Sequence, residues 1–340
     1  MMRGFHFIPD TINVNVYRYR LLAFALSIFL VLGTFFIVAT KGLNFGIDFT
    51  GGTSIEIATP VVPDLEKLRS KLNALKLGGI SIQEFGEPQD FLIRLPQQLE
   101  TAETIAAYES CIEANRKKTE PEQCPTAQTK AIEAVRAQLG DYFKEGEVDY
   151  RRVEYVGPQV GEELKVQGLW AISFSILAIM AYIWMRFEWQ FAVSATVATT
   201  LHDVVLTIGL FSLTQMEFNL STLAAILLVA GYSVNDTVVV FDRIRENMRK
   251  FKKKPLPDLL NLSVNETLSR TTMTSFSTVL ALLSLYFFGG EVIRGFVYAL
   301  IFGIVVGTYS SIYVAAPLLV YLRVRPEPEG QPSKNVPEAV

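Results

Sequence analysis

Cysteine, histidine and charge are all scarce in this sequence of 340 residues, with two Cys, two His and 19% charged residues. Two cysteines cannot staple a disulfide-rich scaffold, and so few Cys and His leave a buried metal centre almost without ligands, so no metal site is expected. The charged fraction lies below the ~25% of ordinary soluble domains. Half of the residues are hydrophobic, which excludes an intrinsically disordered chain. A net charge of -3 offers nucleic acid no broad electrostatic footprint. A G-x-x-x-x-G-K-[ST] run is also missing, and Gly51-Gly52 leads into a strand-like run rather than a helix, so ATP hydrolysis is not expected.

The lack of charge is local. Six stretches, 21–40, 169–185, 190–213, 218–241, 271–290 and 295–322, together hold only two charged side chains, Asp203 and Asp236. Each stretch approaches or exceeds the ~20 residues that cross a ~30 Å hydrocarbon core as helix. The fold class expected is a polytopic α-helical membrane protein with six transmembrane helices. The first apolar run is longer than a signal-peptide core and ends in Val38-Ala39-Thr40-Lys41 without a small-x-small cleavage pattern, so it reads as a retained anchor. Basic residues gather in the N-terminal tail (1–20), at Arg186, across 243–254 and in the C-terminal tail (323–340). The positive-inside rule then places both termini in the cytoplasm and residues 41–168 outside.

That outer segment is rich in charge and patterned like a folded domain. Alternation over 53–58, 80–85 and 91–95 predicts strands, helical spacing of Leu65, Leu68, Leu72 and Leu75 predicts a helix, and two helix-forming runs (101–117, 126–143) precede a last strand near 148–156. The order βαββαβ, with the second helix interrupted, is the ferredoxin-like signature. The interruption, a helical insert over about 105–130, holds Cys111 and Cys124. If oxidised, they tie a hairpin; if reduced, they are two thiols in a loose insert. The 169–322 bundle completes the domain plan.

Carboxylates inside a membrane are expensive unless paired, protonated or facing water, which makes Asp203 and Asp236 functional candidates. Asp203 aligns at intervals of four with Ala195, Thr199 and Thr207, and His202 adjoins it. Asp236 follows Asn235 and lies one turn after Tyr232 and Ser233, while Arg270 opens a span that begins with a Ser/Thr-rich wall including Thr274. Desolvation favours the neutral acid and a nearby guanidinium favours the carboxylate, so relative movement of Arg270 and Asp236 is a way to load and release a proton. The same residues also fit a static ion pair or helix glue. Gly303 and Gly307, within the four-residue repeat Gly295, Ala299, Gly303, Gly307 and Ser311, permit close helix approach. The order around Asp236 lacks both Tyr-Asp and Gly-x-Gly-Asp, which argues against an aspartyl intramembrane protease. The reading is a non-enzyme without a bound cofactor.

Several motifs occur in order over roughly residues 15–323: Gly46-Ile47-Asp48-Phe49-Thr50-Gly51-Gly52-Thr53, Val156-Gly157-Pro158-Gln159-Val160-Gly161, Arg186-Phe187-Glu188-Trp189, His202-Asp203, and Gly231-Tyr232-Ser233-Val234-Asn235-Asp236 running on to Asn247. Together they resemble the SecF branch of the SecD/SecF family, itself similar to resistance-nodulation-division transporters. The resemblance implies a subunit of the bacterial inner-membrane Sec protein translocase that finishes preprotein movement with the proton-motive force after SecA has acted. It implies protons as the coupling ion, SecD as an obligate second half, the SecYEG channel, YajC and YidC as partners, and no nucleic acid. By the motif match, Asp236 and Arg270 take the places of the family's essential acid and arginine, Asp203 a further family position, and Gly46, Asp48, Gly51 and Gly52 its glycine motif. The insert at 105–130 is longer than the family pattern. A passive translocon scaffold, or half of a small-molecule or lipid transporter, are the alternative readings.

Overall fold

The computed structural model describes residues 14–84, 87–116, 124–143, 148–290 and 293–324. Parts of the expected basic tails and helical insert, residues 1–13, 117–123 and 325–340, lie outside the described residues.

Among the described residues, six helices are long and apolar enough to cross a bilayer. They are α1 (Arg20–Lys41), α6 (Pro158–Arg186), α7 (Trp189–Thr214), α8 (Leu220–Lys250), α9 (Leu256–Phe288) and α10 (Arg294–Tyr321). Three of them outrun the apolar windows of the sequence. Helix α6 starts within the expected outer segment, α8 continues to Lys250, and α9 begins at Leu256, well before Thr271. Hydropathy registers only the turns that lipid touches, whereas Glu162, Glu163 and Lys165, or Arg243 to Lys250, are good helix formers that carry the same helix into water. At 31 residues, α8 is about 46 Å long, against a ~30 Å core.

Helices α7 and α10 each contain a π-helical turn, at Thr196–Leu201 and Ser311–Ala315. Ser194 Oγ, just before the first turn, donates to the Ala315 carbonyl at the end of the second over 2.8 Å, so the flank of one irregular segment is bonded to the other inside the bundle. Such turns relax the i→i+4 ladder and concentrate at functional sites.

The domain between α1 and α6 contains β1 (Gly52–Ala58), α3 (Leu65–Asn73), β2 (Ser81–Glu84), β3 (Asp90–Leu95), α4 (Ala102–Asn115), α5 (Ala127–Phe143) and β4 (Asp149–Val156), after a single-turn α2 (Ile47–Thr50). The four strands form one antiparallel sheet in the order β2-β3-β1-β4. Ile55 pairs with Ile93 and Val153, and Ile57 with Phe91 and Tyr150. Alternate residues therefore share a face, and Ile55, Ile57, Phe91, Ile93 and Leu95 pack against Leu68 and Leu72 of α3 and Val135 and Leu139 of α5. Asp64 caps α3 by accepting from the Glu66 and Lys67 amides, and Thr101 and Thr104 form a capping box on α4. Edge strand β4 is exposed and charged at Arg151, Arg152 and Glu154, which blunts pairing with another chain.

Only Thr104 of α4 is buried, so this helix has little apolar contact of its own. Cys111 and Cys124 are joined by a disulfide, Cα atoms 5.5 Å apart, that ties α4 to the start of α5. A closed loop of this length stabilises by about 3 kcal/mol on the chain-entropy model. Limited proteolysis of Cys111→Ser/Cys124→Ser protein should therefore cut α4 far faster than wild type while sparing the sheet. Equal cutting of both would show that the bond holds nothing in place.

The sheet sits on the bundle through the segment just after α1. The Gly46 amide donates to the Phe218 carbonyl at 2.9 Å and the Phe218 amide to the Asn44 carbonyl at 2.8 Å, while the rings of Phe49, Phe211 and Phe218 pack beneath them. Gly51 and Gly52 have φ of 71° and 114°, a region that favours glycine. A side chain on Gly52 would also run into the Leu95 carbonyl.

Candidate functional site

A polar seam runs through the interior of the bundle where α7, α8, α9 and α10 meet. Asp203 is fully buried on α7, directly after the π-helical turn. One of its carboxylate oxygens lies 2.8 Å from His202 Nδ1. The other accepts from Ser233 Oγ of α8 and from Ser310 Oγ of α10, the latter at 2.9 Å. Ala195, Thr199 and Thr207 on the same helix are completely buried, as the small-residue stripe requires of a helix inside a bundle.

Glycines make this convergence sterically feasible. A Cβ on Gly307 would lie 3.1 Å from Ser233 Oγ and 3.3 Å from Asp203 Oδ2, and one on Gly303, a turn away, would fall within the Val229 side chain. Helices α8 and α10 thus touch almost backbone to backbone where the carboxylate is held.

Asp236 is set differently. It is 3% exposed, and among the described residues Oδ2 accepts a single side-chain hydrogen bond, 3.2 Å from Ser275 Oγ of α9. Ser275 lies 2.7 Å from Thr308 Oγ1 of α10. The next residue, Thr237, shares a 2.7 Å hydroxyl hydrogen bond with Ser311, and both hydroxyls lie within reach of the Ser233 carbonyl, so one donates to that carbonyl while the other donates across the pair. Asp203 and Asp236 therefore occupy two sides of one α8–α10 contact, each with its own set of hydroxyls.

Arg270 is exposed, and among the described residues it forms no ion pair with Asp236. It lines an open cavity of about 1060 Å³ with Val238, Arg243, Glu266, Thr267 and Arg249. Two neighbouring cations in that cavity are already neutralised, Arg243 by Glu246 and Glu266, and Arg186 by Asp242. Of the other residues flagged by the sequence, Tyr232 donates to Thr278 at 3.2 Å, Thr274 is exposed and bonds back to the Thr271 carbonyl, and Asn235 is exposed.

Sequence reasoning did not single out Ser275, Thr308, Ser310 or Thr237 as partners. The doublet Ser310-Ser311 beside the glycine repeat is the signal that points to one of them, Ser310. The π-helical turns left no usable signal in the sequence.

Comparison with known proteins places this seam in context. Residues 135–325, which contain both aspartates and every partner just named, match the family model of protein export membrane protein SecD/SecF, C-terminal, and residues 36–59 match the SecD/SecF GG motif. A SecF protein translocase subunit from Desulfurispirillum indicum is 46% identical over 344 residues, covering 100% of both chains. The chain belongs to the SecD/SecF family. A SecF subunit from Rickettsia felis is 43% identical over 312 residues, 92% of each chain. Among solved structures, a SecDF crystal structure from Thermus thermophilus, described as a translocon-associated membrane protein, superposes with a TM-score of 0.73 at 33% identity. The match covers 94% of this chain and 40% of that one, so this chain spans about two fifths of the SecDF polypeptide. Gly46, Asp48, Gly51 and Gly52 fall in the SecD/SecF GG motif, at the junction of sheet and bundle.

Proposed function

We propose that the chain is the SecF half of a Sec protein translocase and uses the proton-motive force to complete preprotein export after the ATP-driven step of SecA. One observation carries this reading: Asp236 is buried within the helix bundle with one hydroxyl donor and no ion-pair partner among the described residues. A static ion pair would give it a cation in contact, and structural glue would surround it with donors, as Asp203 is surrounded. A carboxylate left this lightly held is inexpensive only when it is neutral or briefly hydrated, which is the condition of a proton carrier. Arg270, at the rim of the adjacent open cavity, is the charge whose approach favours proton release. Asp203, bonded to partners on α7, α8 and α10, is the fixed hub around which those helices register.

SecD is the second half in this reading. The support is that the SecDF chain from Thermus thermophilus is much longer than this one and contains a region like it. The SecYEG channel, YajC and YidC enter through the family resemblance alone. The membrane is the bacterial inner membrane, with both termini cytoplasmic and residues 41–168 periplasmic. The cluster of Arg186, Arg243, Arg245, Arg249 and Lys250 at one end of the bundle supports that orientation. The periplasmic domain is ferredoxin-like, a class supported by its βαββαβ order and the strand order β2-β3-β1-β4. No cofactor is required, and no bond of the preprotein is made or broken; the proton is the coupling ion.

The test uses membrane vesicles containing the whole translocase. Imposing a proton gradient should speed export completion, and a protonophore should abolish the gain. Vesicles lacking this chain should show no gain while the ATP-driven step proceeds. A gain of equal size without the chain would refute the reading.

A further inference from the structure

The outer end of α8, the helix that carries Asp236, is gripped by the external domain at three points. Asn219 caps α8 by accepting from the Thr222 amide, and Asp48 of the GG motif accepts from the Leu220 amide at 2.9 Å, so a residue of the motif completes the cap of a helix 172 positions away. Phe218 is bonded to Asn44 and Gly46 on both sides of its peptide. Glu217 forms an ion pair with Arg94 of β3, an inner strand of the sheet, and both are largely enclosed, with side-chain exposures of 24% and 11%. A Cβ on Gly46 would press against Glu217 Oε1 and lie 3.2 Å from Asn219 Cβ, so the glycine makes room for the pair.

Burial pushes the Glu217 carboxyl above its ordinary range, and the carboxylates of Asp48 and Glu154 push the same way, while Arg94 opposes them. Gln83 is a further partner of the guanidinium, at 3.4 Å. A charge pair this enclosed contributes little net stability compared with an apolar pair of the same volume, but it is directional and its separation is costly. From Leu220 to Asp236 the chain is one unbroken helix, about 24 Å of rod.

We infer that the Arg94–Glu217 pair, seated on the Gly46–Asp48 segment, is the joint that passes movement of α8 at Asp236 to the external sheet. This assigns a coupling role to the GG motif and two positioning residues to the export step, and it rests on the proton-driven reading above. A displacement of α8 along its axis or about it pulls on β3 through Glu217 and on the start of the domain through Asp48. The sheet therefore cannot stay still while the rod moves.

The experiment measures three quantities in vesicles carrying the complete translocase with full-length variants: ATP-driven export, the gradient-driven gain in export, and proton flux. The reference is Asp236→Asn, expected to lose flux and gain together. Arg94→Met, Glu217→Gln and the packing-conserving double variant Arg94→Met/Glu217→Met should keep proton flux and ATP-driven export while the gain falls roughly tenfold, a usual size for lost coupling. Arg94→Lys, which keeps the charge, should retain most of the gain. Flux and gain both unchanged in the folded double variant would overturn the inference, and so would their parallel loss. Failure of Arg94→Met to accumulate beside a fully active Arg94→Lys would mark the pair as a folding contact and overturn it equally. If Asp236→Asn loses neither quantity, the proton-driven reading itself fails, and the two failures are told apart.

Discussion

Asp236→Asn is expected to remove the gradient-driven part of export completely while leaving the ATP-driven part intact. The amide has the volume of the carboxyl and still accepts from Ser275 Oγ, which now lies 3.2 Å from the acid, so the α8–α9 contact survives and the protein accumulates normally. What disappears is the proton-binding oxygen. One charge moved through 100 mV supplies ~2.3 kcal/mol, a bias of about fifty-fold on a two-state equilibrium. An asparagine that never changes charge supplies none. Ser275→Ala should weaken the gain by only a few-fold, because it takes from the acid one neutral hydrogen bond worth about 1 kcal/mol, and Thr308, which loses its contact with Ser275, keeps its bond to the Ile304 carbonyl. Arg270→Met should also abolish the gain, through release of the proton and not its binding. Export in inverted vesicles, with the gradient set independently of ATP, separates these outcomes. A full gain in Asp236→Asn protein would leave only a scaffold.

Gly303→Leu should prevent the bundle from forming. A Cβ there already overlaps all three Val229 side-chain carbons, and α8 and α10 have no space to part without breaking the bonds one turn away, from Ser233 and Ser310 to Asp203. Overpacking of 1–3 kcal/mol, added to a buried carboxylate stripped of donors, amounts to roughly 4 kcal/mol or more, enough to unfold a marginal protein. Membrane levels and the thermal stability of the solubilised complex report it. Gly303→Ala should be milder, and pairing it with Val229→Ala should recover most of the loss, because the two residues share one contact. Normal levels and an unchanged melting temperature for Gly303→Leu would show that the close approach is not what holds the helices.

The features legible in the sequence were those set by solvent. The six spans follow from where charge is missing, the two aspartates stand out for the same reason, and the alternation of Ile55, Ile57, Phe91, Ile93 and Leu95 marked the strands that carry the outer core. Partner choice was hidden. Nothing in the Thr271–Thr278 wall distinguishes Ser275 from Thr274, because only the phase of α9 against α8 decides that one faces Asp236 and the other is exposed. Helix ends were hidden as well, since the charged turns of α6 and α8 look like loops to a hydropathy window. Arg94 and Glu217 lie 123 positions apart, one in a strand and one between spans, and no local pattern joins them.

The paired π-helical turns give the bundle a place to rotate. Each is an extra residue wound into a helix, so the segments on its two sides differ in phase by about 100° from an uninterrupted helix. In α7 this lets Ser194 face the Ala315 carbonyl on one side of the turn while Asp203 faces Ser233 and Ser310 on the other. Migration of the extra residue by one position turns one segment while the other stands still, much as a vernier advances one scale against another. Because the bond from Ser194 to the Ala315 carbonyl joins the flank of the first turn to the end of the second, α7 and α10 would advance together about the hub at Asp203, without any helix leaving the membrane.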